Sequence, residues 1–61
     1  MDAISKTLVK RRDEYLSDAA YAEQRALQSN DPQIQQSWKT IADSYRDLAA
    51  RAAQSIKQNA P

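Results

Sequence analysis

The chain has no cysteine, no histidine and no glycine, and it has only two prolines and one tryptophan. Each absence removes a class of chemistry. Without cysteine there can be no disulfides and no thiolate metal sites. Without histidine the commonest general base and the commonest metal ligand are gone. Without glycine the phosphate-cradling loops of P-loop and dinucleotide-binding proteins cannot be built. The formal net charge is only +1, so there is no strong field toward nucleic acid or an anionic membrane. No apolar run approaches the ~20 residues of a membrane span. The opening residues, Met1-Asp2-Ala3-Ile4-Ser5-Lys6, lack the apolar core of a signal peptide. The expectation is a cytoplasmic protein, not an enzyme, with no cofactor, no bound metal, no membrane contact and no small-molecule substrate.

What is present points to helix. The 61 residues are rich in Ala, Gln, Arg, Lys, Asp and Leu, while phenylalanine is absent and Val9 is the only valine. Most of these are good helix formers, and no strand alternation or hairpin-turn dipeptide occurs. The fold class is all-α. The strongest signal runs from Asp31 to Ile56. Asp31-Pro32 is a helix start, with a carboxylate to cap free N–H groups and a proline suited to the first helical position. Ile34, Trp38, Ile41, Tyr45, Leu48, Ala52 and Ile56 then follow at alternating steps of four and three, an apolar seam along one helix face.

The first helix is expected over about residues 3–28, capped by Asp2 in preference to Ser5, and the second over about 32–57. Ser29-Asn30-Asp31 forms the turn, where Asn tolerates the left-handed conformation that ends a helix without glycine. Asn59-Ala60-Pro61 are expected to fray. So short a connection lays the helices antiparallel in one hairpin domain. Residues whose numbers add to roughly 60 then lie level. Trp38 faces Ala22, with Ala19 and Ala26 nearby. Tyr15 and Leu16 meet Tyr45 and Leu48, Leu8 meets Ala49 and Ala52, and Ile4 reaches Ile56. Large opposite small fills an interior, which makes Trp38→Ala the most damaging single change, at roughly 3–5 kcal/mol for a fully buried site. Tyr21 faces outward, either as a contact residue or, the favoured reading, lying over its own helix near Arg25.

One hairpin does not use all the apolar surface on offer. At about 100° per residue, Ile4, Leu8, Val9, Tyr15, Leu16, Ala19, Ala20, Ala22, Ala26 and Leu27 fall on one arc of roughly 160°, wider than a two-helix seam. A domain this small often needs oligomerisation to be stable. Two hairpins closing into a four-helix bundle, a homodimer, would cover the excess. Arg12 and Glu23 lie inside the arc. One reading has their stems covering apolar surface while the charges reach water. The sharper one pairs Arg12 of one chain with Glu23 of the other, beside Leu16 and Leu27, across first helices packed antiparallel near Ser17 and Asp18.

Three functional classes remain to be weighed. Carboxylates at Glu14/Asp18 and Asp43/Asp47 share helix faces but read as surface acids. A di-metal bundle needs a Glu-x-x-His motif, and the chain has no histidine. Cations gather toward the open end of the hairpin at Lys6, Lys10, Arg11, Arg51 and Lys57. They read first as a solvated face with i,i+4 pairs such as Asp47–Arg51. Their functional reading is a small basic patch for an RNA backbone, and the hairpin is similar in plan to the plasmid copy-control proteins that bind paired RNA loops. That similarity is architectural, and near-zero net charge argues against strong phosphate binding. The leading class is a self-association or protein-interaction module, whose partner is a second copy or a different helical protein.

Tyr15…Ala22-Glu23-x-Arg25-Ala26-Leu27, then Asp31-Pro32, then Trp38-x-x-x-Ala42-x-x-Tyr45-x-x-Leu48-Ala49 resembles a set of short uncharacterised alphaproteobacterial proteins. In these an A-E-x-x-R segment is followed by D-P and a helix with W/L…L-A-x-x-Y/W-x-x-L-A. The resemblance covers roughly residues 15–53. It departs at Ala26-Leu27 and Ile41-Ala42, where Leu-Ala is usual. It implies a helical hairpin of bacterial origin and carries no activity and no site residues.

Overall fold

The computed structural model describes residues 3–59. Two helices, α1 (Ala3–Gln28) and α2 (Pro32–Asn59), pack along their length as an antiparallel hairpin. The Cα extents of 47 × 13 × 10 Å describe a thin rod. Among the described residues there is no strand, and no helix is long and apolar enough to cross a membrane. The expected cap at Asp2 lies outside the described residues, as do Ala60 and Pro61. Ser5 lies within α1, buried. Helix α2 continues to Asn59, two residues past its expected end.

The turn follows from local hydrogen bonding. Asp31 Oδ1 accepts from the Gln33 N–H at 2.9 Å, and the Asp31 carbonyl accepts the first helical bond from Gln35 at 2.9 Å. This is the expected N-cap. Asp31 N–H donates to the Ser29 hydroxyl at 3.2 Å, and the Gln35 side-chain amide donates back to the Ser29 carbonyl. The Ser29 N–H closes α1 onto the Ala26 carbonyl at 3.3 Å. Asn30 is not left-handed: no residue described has positive φ. Polar side chains bind the freed backbone groups at this bend, so no left-handed residue is needed. Asp31→Ala should lower stability by about 1 kcal/mol, read as a shift in the urea midpoint.

The register is the expected one. The Tyr15 and Tyr45 rings stack with centroids 6.4 Å apart. The rotation of α2 about its axis is not. The expected seam through Ile34, Ile41 and Leu48 is replaced by one displaced by a residue at each of those steps, through Gln35, Ala42 and Ala49, with Trp38, Tyr45, Ala52 and Ile56 common to both. The buried core is alanine: Ala19, Ala22 and Ala26 of α1 with Ala42, Ala49 and Ala52 of α2. Small residues on both helices let the backbones approach closely, which large residues in the seam would prevent. Small therefore faces small, contrary to the large-opposite-small expectation.

Trp38 is accordingly only half-buried. Its ring meets the edge of Tyr21 at 6.1 Å, and the Arg25 guanidinium lies 5.7 Å from its centroid. Tyr21 thus reaches across to α2 instead of lying only over its own helix. A half-buried tryptophan loses less on truncation than a core one. Trp38→Ala should cost about 2 kcal/mol, including its aromatic and cation–π contacts, measured by chemical denaturation.

Candidate interaction surfaces

The seam divides the surface of the rod into two long sides. In α1 the seam runs through Ser5, Leu8, Arg12, Tyr15, Ala19, Ala22 and Ala26, steps of three and four. Residues one step off it on either side define the flanks.

On one side a shallow groove is lined by Glu23, Ala26 and Leu27 of α1 and by Lys39, Ala42, Asp43 and Arg46 of α2. Arg46 bridges the helices here, pairing with Glu23 of α1 and, at 2.8 Å, with Asp43 of its own helix. These groups are half exposed or more, so the pairs contribute at most about 1 kcal/mol each. Leu27, 85% exposed, and the exposed Leu16 belong to this side. Glu23 therefore has an ion-pair partner within its own hairpin. Arg12 likewise pairs with the adjacent Asp13 at 3.1 Å, its stem half-buried along the seam and its charge at the surface. That is the arrangement of a long side chain covering apolar surface.

On the other side α2 presents Ile34, Ile41 and Leu48, spaced by seven residues, at 49%, 40% and 38% exposed. Ser37 and Ser44 lie beside them, and their hydroxyls donate to their own helix, at the Gln33 and Thr40 carbonyls, at 3.0 and 3.1 Å. Tyr21 and Arg25 of α1 rise over Trp38 at the turn end of this side. Further along, a depression is lined by Ile4, Thr7, Leu8 and Arg11. The remaining α1 flank is charged, at Arg11, Asp18 and Arg25.

Comparison with protein-family models, with curated proteins and with solved structures gives no match. The surface itself must therefore carry the functional argument.

The expected basic residues are all exposed near the open end, but the seam divides them. By helical phase Lys6 and Lys57 fall on the groove side, Arg11 and Arg51 on the side of the isoleucine stripe, and Lys10 on the outer surface of α1. Arg51 is engaged with Asp47 at 3.0 Å, the expected i,i+4 pair. Among the described residues no group of three or more carboxylates converges to hold a metal ion. Apolar periodicity places Ile34, Ile41 and Leu48 in the core, whereas they form an exposed stripe. The seven-residue spacing of these three was the available signal.

Proposed function

We propose that this chain is a small, non-enzymatic, cytoplasmic self-association module, in which two hairpins join as a homodimer of four helices. The observation that carries the reading is the surface left over. The hairpin exposes 4782 Å², where a compact monomer of its mass exposes ~4,000 Å². Folding alone removes only about half of the ~10,000 Å² of the extended chain, against about 60% for typical domains of this length. The surplus of roughly 800 Å² is close to what one partner contributes to a standard specific interface. Seven large apolar side chains, Ile4, Leu16, Tyr21, Leu27, Ile34, Ile41 and Leu48, are among what is exposed. Covering them with a second copy lowers the surface of both chains in one step, driven by apolar burial.

Nucleic-acid binding through the open end has less support, since its five cations are spread around the rod and one is ion-paired. Sedimentation equilibrium of the purified chain tests the reading. The expected mass is that of two chains at micromolar concentration. A single-chain mass at every accessible concentration, with full helicity, would overturn it.

A further inference from the structure

The rod offers two long sides to a second copy. Resting on the self-association reading, the geometry points to α2 as the dimerisation helix. It packs antiparallel on its own symmetry mate, with Ile41 on the two-fold axis and Ile34 of each chain against Leu48 of the other.

Four observations converge. The three side chains are the largest run of exposed apolar residues at one helical phase, and their equal spacing makes the run symmetric about Ile41. An isologous interface requires such self-complementarity, because each residue meets the mate of its own reflection. Ser37 and Ser44 flank Ile41 with small side chains whose hydroxyls already donate within the helix. Burying them therefore strands no donor, and a neighbouring helix can approach closely. The face at this phase, Ile34, Ser37, Ile41, Ser44 and Leu48, carries no charge, so closing it on its own copy desolvates none. Finally, the groove side is the poorer candidate. Its apolar members Leu16 and Leu27 are on α1, and its centre is occupied by Glu23, Asp43 and Arg46 paired with one another. On the stripe side the α1 flank carries Arg11, Asp18 and Arg25 as well as the exposed Ile4 and Tyr21, and these charges favour a contact centred on α2.

The absence of native cysteine makes a direct test clean. A residue on a two-fold axis lies near its own mate, within the Cα separation of about 4.4–6.8 Å that a disulfide spans. Under mild oxidation Ile41→Cys should become a covalent dimer nearly completely, while Leu16→Cys and Leu27→Cys remain monomers on denaturing gels. In parallel, Ile41→Glu sets two carboxylates against each other and should weaken the dimer by roughly a hundredfold or more. Its helicity, measured at a concentration high enough to restore dimer, checks that it still folds. A wild-type dimer in which Leu16→Cys or Leu27→Cys cross-links and Ile41→Cys does not would overturn this choice of face, while leaving self-association intact. A wild-type chain that is monomeric throughout would remove both.

Discussion

Replacing Ala42 by leucine is expected to destabilise the hairpin by about 2–3 kcal/mol. Ala42 is 1% exposed and lies in the alanine seam. A leucine there either wedges the helices apart, loosening the contacts of the neighbouring alanines, or is pushed into the shallow groove against Lys39, Asp43 and Arg46. In a domain this small, whose core supplies no more than about 3–5 kcal/mol, such a loss moves the thermal midpoint by many degrees and leaves a visible unfolded fraction at room temperature. The substitution also discriminates between the two phases of α2. If Ile41 faced α1, Ala42 would sit on the flank, and a leucine there would be close to neutral, since both residues are strong helix formers. A circular-dichroism melt of the variant beside Leu27→Ala makes the comparison. Leu27 is almost wholly exposed, so its truncation should change stability by less than about 0.5 kcal/mol.

Changing Ile34, Ile41 and Leu48 together to glutamine has the second large effect, and its sign is informative. On a free helix surface the change is neutral or slightly favourable, because glutamine has the better helix propensity than isoleucine. On a buried interface it removes three apolar side chains per chain, each contributing roughly 1 kcal/mol beyond its present partial burial. The triple variant is expected to lose about 3 kcal/mol per chain and to become monomeric. Urea titrations at two protein concentrations measure this. Wild type should show a midpoint that rises with concentration, and the variant one that does not. A variant as stable as wild type, with a wild-type mass, would show that the stripe is ordinary surface.

Much of the fold could be read from the residues, because it rests on local chemistry. Asp31-Pro32 carries its own capping geometry, and a three-residue connection leaves an antiparallel hairpin as the compact arrangement. The level of one helix against the other follows from the turn, which is why Tyr15 meets Tyr45 as expected; that their rings stack is a finding of the structure. The rotation of α2 was not legible. Two frames, displaced by one residue at three positions, share Trp38, Tyr45, Ala52 and Ile56. Hydrophobicity favours the frame with Ile34, Ile41 and Leu48. Close backbone approach favours the frame with Gln35, Ala42 and Ala49. A periodicity argument weighs only the first quantity, whereas Ala19, Ala22 and Ala26 on the facing helix decide for the second. The same displacement brought Trp38 to the rim and hid the stripe from a reading that sought sites outside the core. By spacing Arg12 and Glu23 fall within the apolar arc of α1. Their partners Asp13 and Arg46 depend on side-chain reach, which spacing along one helix does not encode.

The central claim is that the hairpin presents more apolar surface than it can cover alone and that a second copy covers it. Light scattering over a hundredfold dilution, with helicity recorded on the same samples, tests this most directly. The account predicts a mass of two chains at the high end, falling toward one chain on dilution, with helicity falling alongside it because each hairpin leans on the other. A chain that stays monomeric and fully helical across the whole range would contradict it.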